Sequence, residues 1–443
     1  METCQCKIKI ANLIYRLHVN LVSAYRVGLM VKTILAFEFN VGGGLSNTNI
    51  ESPILAEGYL MLSSLIGDLK SSGFKVYTSI DSRLKSACKF KVDKIIPILP
   101  GENPLEKLSH FLRDVDGVIL IAPAYRKLLF IYTKFFEKAG VEVLGSSSKG
   151  IYVASNKLLT FKKFKKHGIL TPKTAVCKLD EPAEKVKAKV DKLGYPVIFK
   201  PIDGDGCSGI SLVKNSRQIK NALKILRMNT VSRYFLIQKF IDGLHASVSF
   251  LSSGFNVYPL TLNLQKIKLK PPGDTSSYEG GLTPLYHPLA EKAFLEAKFA
   301  VECLEGLKGY IGVDLVISGK NIFIVEVNPR LTTIYAGLSR ISKESLANLV
   351  VNTSLGLDLN RKFDVKGFAQ IFKIPIKNVK PKTFTLTSFK GKRFEAAAYF
   401  PPQNLDKNFI LTVTWGRNLK MLKNVKEKVK KRILSKFNLK HQK

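Results

Sequence analysis

The sequence predicts a mixed protein, α/β in its N-terminal part and α+β beyond it, from three observations. Strand-like and helix-like segments alternate over about residues 31–146. Two apolar strands then flank a glycine-rich turn near residues 195–213, and two apolar runs near residues 312–330 each carry a carboxylate. In the first region Ile34-Leu35-Ala36-Phe37-Glu38-Phe39 reads as a buried strand, ended by Gly42-Gly43-Gly44. Apolar Leu55, Tyr59, Leu62, Leu65, Ile66 and Leu69 set a helical period over 52–70, and Gly73 closes it. Strands at 75–78 and 94–97, a helix over 105–113 and a strand at 117–121 complete an open parallel sheet. The glycine run lacks both the Gly-x-Gly-x-x-Gly spacing and a P-loop Lys-Ser/Thr, so it does not by itself mark a phosphate loop.

Beyond residue 150 helices are expected over 155–167 and 181–193. Tyr195-Pro196-Val197-Ile198-Phe199-Lys200-Pro201 then runs as a strand into Ile202-Asp203-Gly204-Asp205-Gly206-Cys207-Ser208-Gly209 and returns as a strand over 210–213. The backbone N–H groups of such a hairpin can fold over a polyphosphate. Lys157 and Lys200 favour that use over an ordinary glycine turn. The strand from Tyr234 to Ile241, with Gln238 and Lys239 in it, ends at Asp242-Gly243. An extended backbone of this kind can offer an adenine both a donor and an acceptor, which is one use open to it.

Asp314 lies within one late apolar run and Glu326 within the next. A carboxylate buried without a partner is costly, so each should meet a cation or a base. Asn328, two residues past Glu326, falls on the same strand face. Two carboxylates and an amide suit magnesium, which takes oxygen ligands and shares them with substrate phosphates. That is the stronger reading over a salt bridge to a neighbouring Lys or Arg. In Tyr278-Glu279-Gly280-Gly281, Glu279 with Gly280 reads either as a substrate loop binding an incoming ammonium or as a plain turn. His245 and His287 have no second ligand at metal spacing, and Trp415 reads as packing in a strand over 409–415.

Composition bounds these readings. The 443 residues suffice for two to four domains, and 45% apolar content with 10% aromatics excludes a disordered basic chain. No run of eighteen uncharged apolar residues occurs, which argues against a membrane-spanning helix. Cys4, Cys6, Cys88, Cys177, Cys207 and Cys303 form no C-x-x-C pair and read as free thiols in a reducing cytoplasm. Residues 1–30 do not read as a secretory signal, because Lys7, Lys9, Arg16, His18 and Arg26 interrupt the apolar stretch. We expect translation to start at Met30, or residues 1–29 to be a dispensable basic extension.

The net charge is +36, and residues 361–443 carry half of it, with 22 Lys/Arg against Asp364, Glu395, Asp406 and Glu427. From Asn418 onward, Leu419, Leu422, Val425, Val429, Ile433 and Leu434 mark a basic amphipathic helix. It is expected to dock on the body with a solvated lysine face; nucleic acid or another anionic partner is the other use open to it.

Lys157, Lys200 with its GDGCSG loop, QKFIDG, Asp314 and VEVNPRLTT, in this order, resemble the ATP-grasp superfamily over about residues 31–355. Within it FEFNVGGG, ILAEGYLMLSSLIGDL, GVILIAP, YEGG and VEVNPRLTTIYAGL are similar to the archaeal tyramine–L-glutamate ligase branch associated with methanofuran biosynthesis. The resemblance implies an ATP-grasp fold. Residues 31–150 would form the N-terminal α/β pre-ATP-grasp domain, 151–360 the ATP-grasp domain and 361–443 a small basic C-terminal module. It implies that Lys157 and Lys200 contact ATP and that Gly204, Gly206, Ser208 and Gly209 form a phosphate flap. Gln238, Lys239 and Ile241 would line the adenine slot, with Asp242 at the ribose. Asp314, Glu326 and Asn328 would hold Mg²⁺, with Mn²⁺ as the alternative ion, and Arg330 would steady the transferring phosphoryl group.

The implied activity is ATP-dependent joining of L-glutamate to tyramine or a related amine through an acyl phosphate, in the cytoplasm. Two other functions stand beside it. One is a ligase adding amino acids to a carrier protein, and the other is a non-catalytic nucleotide-binding protein that docks RNA through its basic tail. The chain departs from the family pattern at Ala124, Asn156, Gln238 and Ile334.

Overall fold

The computed structural model describes residues 31–48, 55–85, 88–376, 385–400 and 409–436. The first 30 residues, with the expected start at Met30, lie outside it. In the N-terminal part the elements are β1 (Thr33–Glu38), α1 (Leu55–Ser71), β2 (Lys75–Asp81), β3 (Lys94–Ile98), α2 (Pro104–Ser109), β4 (Gly117–Ile121), α3 (Leu128–Lys138) and β5 (Glu142–Val143). Their strands form a five-stranded parallel sheet ordered β3-β2-β1-β4-β5. The expected helix over 105–113 is shorter: Asn103 caps α2 and a separate 3-10 turn follows at Leu112–Asp114. Proline at its first position and the Asn cap fix where α2 starts.

Next come α4 (Ser148–Ala154), α5 (Lys157–Lys166), β6 (Thr174–Lys178), α6 (Ala183–Leu193), β7 (Val197–Pro201), β8 (Ser211–Val213), α7 (Ile219–Asn229) and β9 (Tyr234–Lys239). The expected single helix over 155–167 is thus α5, preceded by α4. Asn156 breaks the two apart, its side chain accepting from Leu158 and Leu159 N–H at 3.0 and 3.1 Å. An Asp in this place would cap in the same way, so the departure at Asn156 leaves the start of α5 intact. The strands make a four-stranded antiparallel sheet, β6-β9-β7-β8. Val186, Val190, Phe199, Leu223, Leu226 and Phe235 pack into a core of its own.

The remainder is β10 (Leu244–Ser252), β11 (Val257–Lys268), β12 (Ser277–Thr283), α8 (Ala290–Glu302), β13 (Gly309–Ser318), β14 (Asn321–Asn328), α9 (Tyr335–Ile341), α10 (Leu346–Ser354), β15 (Phe368–Pro375), β16 (Thr385–Gly391), β17 (Phe394–Phe400), β18 (Phe409–Gly416) and α11 (Leu419–Lys436). All its strands belong to one nine-stranded antiparallel sheet, β14-β13-β10-β11-β12-β15-β18-β17-β16. The strands beyond residue 361 therefore continue the sheet that carries Asp314 and Glu326. Gly280 makes the junction. At φ +127° it lies so close to β15 that a Cβ would run into the Ile371 carbonyl. The basic helix α11 lies on this extension, burying Val429 and Ile433 against Phe372, Ile374, Phe394 and Ile410.

α1 is buried nearly all round, as a helix between two layers must be. Leu55, Tyr59, Leu62 and Leu65 share one core with Ile34 and Ile80 on one side and with Tyr335, Leu346, Ile371 and Leu411 on the other. Two carboxyl clusters fix this layer. Asp68 accepts from Ser345 Oγ at 2.9 Å, Tyr335 OH at 3.2 Å and Ala347 N–H at 2.7 Å. Glu395 of β17 accepts from Ser63 Oγ and from Arg340 Nη2 at 2.7 Å.

Candidate active site

A cleft of about 760 Å³ opens where the four-stranded sheet, the nine-stranded sheet and the N-terminal part meet. Its ionic wall comes from β13 and β14. Asp314 and Glu326 are register partners there, side by side on neighbouring strands. Asp314 accepts from Gln265 Nε2 at 2.7 Å and from Asn328 Nδ2 at 3.2 Å. Burial, and then the charge of Glu326, push the Asp314 carboxyl above its ordinary range. Among the described residues no three His, Cys, Asp or Glu side chains converge on one point. The oxygen donors are these two carboxylates and the Asn328 amide. That set fits a hard cation that takes its other ligands from phosphate and water.

Two lysines face the acids. Lys157 opens α5, its ammonium 2.6 Å from the Gly204 carbonyl and 3.2 Å from Glu326 Oε2. Burial pulls its pKa down, but the charges of Glu326 and Asp205 outweigh that and hold it above the usual lysine range. Lys200, on β7, is 3% exposed, and burial lowers its pKa to about 8. The pair therefore differs: Lys157 is a committed cation, whereas Lys200 gains most from an added anion.

Gly204, Asp205, Gly206, Cys207 and Ser208 reach over the cleft from the β7–β8 turn, and Gly209 follows outside its lining. Gly206 and Cys207 both take left-handed backbone (φ +60° and +67°), which folds the turn back on itself. Asp205 bonds both oxygens to Arg330 Nη2, at 2.9 and 2.8 Å, and accepts from the Ala124 N–H at 3.2 Å. Burial raises the Asp205 pKa, and Arg330 and Lys157 more than reverse the effect. At Ala124 the contact is made by the backbone, so the side chain there is not used in it.

On the other side Gln238, Lys239, Phe240 and Ile241 form the strand-end wall. The Gln238 amide donates to Thr174 Oγ1 at 2.9 Å, and Lys239 Nζ donates to the Gly194 and Tyr195 carbonyls at 3.0 and 2.9 Å. Asp242 is exposed and outside the lining; Gly280, buried at the β12–β15 junction, is outside it too. Glu279 does line the cleft and accepts from Ser277 Oγ at 2.6 Å. His245, read from sequence as structural, lines the cleft as well, its pKa lowered by burial.

Sequence reasoning assigned no role to Glu38, Glu57, Gln265, Tyr278 or Lys373, all of which line the cleft. Glu38 and Glu57 sit in the FEFN and LAEGYL segments. A charged residue inside an apolar strand was the available signal for Glu38, as it was for Asp314. Lys373 is one of 22 basic residues over 361–443, and nothing local sets it apart.

Residues 154–334 match the model of an ATP-grasp domain. The chain is 32% identical over 349 residues to the tyramine–L-glutamate ligase of Methanocaldococcus jannaschii, covering 76% of this chain and 94% of that one. A putative ATP-grasp superfamily protein from Archaeoglobus fulgidus superposes with a TM-score of 0.57 at 24% identity, over 87% of this chain and 99% of that one. The biotin carboxylase domain of the Hydrogenobacter thermophilus 2-oxoglutarate carboxylase, solved with MgADP, does so with a TM-score of 0.66 at 16% identity, over 88% and 87%. These two likenesses are of fold. The chain belongs to the ATP-grasp superfamily, and it is an ATP-dependent carbon–nitrogen ligase.

Proposed function

We propose that this ligase joins L-glutamate to tyramine or a closely related amine through an acyl phosphate. The observation that carries the reading is the pairing of Asp314 with Glu326 opposite Lys157 and Lys200, under the Gly204–Ser208 turn. This arrangement supports a polyphosphate held between acids and lysines. The identity with the M. jannaschii ligase supports the substrates.

Asp314, Glu326 and Asn328 would hold Mg²⁺, with Mn²⁺ as the alternative ion; bound there, it would neutralise charge on the phosphates during transfer. Lys200, buried and only weakly basic, gains most from a phosphate anion. Lys157 is paired with Glu326 and bonded to the turn at Gly204, so it couples the position of the turn to the acidic wall. A substrate carboxylate oxygen attacks the γ-phosphorus of ATP, the bond to the β-phosphate oxygen breaks, and ADP leaves. Arg330 offsets charge on the phosphoryl oxygens. The neutral amine then adds to the acyl carbon, phosphate departs with the former acyl oxygen, and the nitrogen loses a proton. No enzyme nucleophile is needed, so the work of the chain is positioning and charge compensation. Gln238, Lys239 and Ile241 would take the adenine. Using ATP and free amino acid, the enzyme belongs in the cytoplasm.

The test is ADP release with ATP, Mg²⁺ and L-glutamate, with and without tyramine, with products identified by mass. A glutamyl-tyramine mass is expected from the wild type. Glu326→Ala should lower its rate by at least about 10³-fold, as loss of a ligand to the ion that would compensate phosphoryl charge does. ADP release with other amines only would refute tyramine and keep the ligase.

A further inference from the structure

The cleft has a second charged wall, away from Asp314 and Glu326, that the phosphate chemistry leaves unused. It is built by Glu57 in the first turn of α1, Tyr278 of β12, Thr333 after β14 and Lys373 of β15. Among the described residues Glu57 has no salt bridge, and its one hydrogen bond comes from Thr333 Oγ1 at 3.3 Å. Lys373 likewise has no salt bridge among them; its ammonium lies 4.4 Å over the Phe409 ring. The hydroxyl of Tyr278 is buried and has no hydrogen-bond partner. A native fold rarely leaves a buried hydroxyl without a partner, and a carboxylate and an ammonium that line the same cleft with no salt bridge are open to a ligand of complementary charge.

What would satisfy all three is a small molecule with an ammonium, a carboxylate and a polar atom between. Burial raises the Glu57 pKa, and Lys373 is the charge that opposes this most strongly, so the two act within one electrostatic neighbourhood. The amine substrate is a poor candidate for the Glu57 site. It must be neutral to attack, and a carboxylate that binds an ammonium holds it protonated. An ammonium that takes no part in the reaction has no such conflict.

Resting on the ligase reading above, we propose that Glu57, Tyr278 and Lys373 form the subsite for the acid substrate and recognise it as an α-amino acid. Glu57 binds the α-ammonium, Lys373 binds the α-carboxylate, and the Tyr278 hydroxyl bonds to the same zwitterionic head. The second carboxylate of a dicarboxylic amino acid is thereby left free for phosphorylation.

The experiment compares KM and kcat for L-glutamate, glutarate (no α-ammonium) and 4-aminobutanoate (no α-carboxylate) in the wild type and in Glu57→Gln, Lys373→Met and Tyr278→Phe. Glu57→Gln should raise KM for L-glutamate by at least about tenfold, the usual loss for a hydrogen bond to a charged group, and leave glutarate unaffected. Lys373→Met should raise KM for L-glutamate and glutarate and spare 4-aminobutanoate. Tyr278→Phe should raise KM for L-glutamate without lowering Tm, since the hydroxyl has no partner in the protein. The subsite is overturned if wild-type KM is equal for L-glutamate and glutarate, or if Glu57→Gln changes KM for the amine instead. A wild type that releases no ADP with any acid–amine pair refutes the ligase reading. In that case calorimetric titration of L-glutamate into wild type and Glu57→Gln, with a non-hydrolysable ATP analogue present, decides the subsite. Binding lost in the variant upholds it, and no binding to the wild type overturns it.

Discussion

The four-stranded sheet and the α1 layer bound the same cleft but are held by different interactions. The four-stranded sheet has a closed core of its own, Val186 to Ile237, and meets the rest of the cleft through polar contacts. These include Lys157 with Gly204, Asp205 with Arg330, and Leu212 N–H with the Lys270 carbonyl at 2.8 Å. The α1 layer has no separate core. Its leucines interlock with both the parallel sheet and the β15–β18 extension, and Asp68 and Glu395 pin it with hydrogen bonds. A unit with a separate core can shift without exposing apolar surface, whereas a fused layer cannot. The difference sets the two walls apart: the wall from the four-stranded sheet can adjust, and the wall bearing Glu57 is fixed.

Breaking the fused layer should have the largest effect on stability. Asp68→Ala strands Ser345, Tyr335 and the Ala347 N–H, and a loss of roughly 3–4 kcal/mol is expected in urea unfolding. A loss under about 1 kcal/mol would show that the layer is held by packing alone.

The next effect is pH-dependent. Glu38 of β1 is 1% exposed, accepts from the Val41 N–H at 2.7 Å, and lies so close to Gly58 of α1 that a Cβ there would strike its carboxyl. Burial raises its pKa from 4.5 to about 7. In that window the unfolded chain releases the proton first, so stability is full below about pH 4.5 and falls as pH rises through 7. The fall should reach at most about 3 kcal/mol and level off above pH 7. Glu38→Gln should flatten it, as thermal unfolding between pH 5 and 8 would reveal. An equal slope in the variant would assign the dependence to other groups.

The smallest stability effect belongs to the adjustable wall. Asp205→Asn weakens the tie to Arg330 and should change stability by no more than about 1 kcal/mol, as expected for a partly solvated ion pair. It should nonetheless speed amide exchange at residues 203–209 and alter KM for ATP severalfold. A stability loss matching that of Asp68→Ala would erase the contrast between the walls.

Much of this arrangement was legible in the chain. The period of α1, the apolar strands, the β7–β8 turn and the acid-bearing β13–β14 pair follow from local pattern, because periodicity and turn chemistry act over a few residues. The same holds for Lys157, Lys200, Asp314, Glu326 and Asn328, polar side chains set at a helix start or on apolar strands, whereas Arg330 was singled out by the family resemblance. Where pattern was ambiguous, local chemistry settled it, as at Asn156, whose capping side chain separates α4 from α5.

Other features depended on residues far apart. The expected basic C-terminal module is joined edge to edge to the central sheet, because β12 offers β15 a free edge at Gly280, and strand pairing leaves no mark in either sequence. The amphipathic period of α11 is plain in the chain, but the sheet surface that buries its apolar side is not. Glu57, Tyr278 and Lys373 come from three elements spread over more than 300 residues and meet only when α1 is clamped between the sheets. The sequence by itself determined many of the elements and the acids and lysines that line the cleft, since those are written in short-range spacing. Which charges face one another across the cleft was decided by tertiary structure, because burial and pairing depend on the packed layers and not on neighbours in the chain.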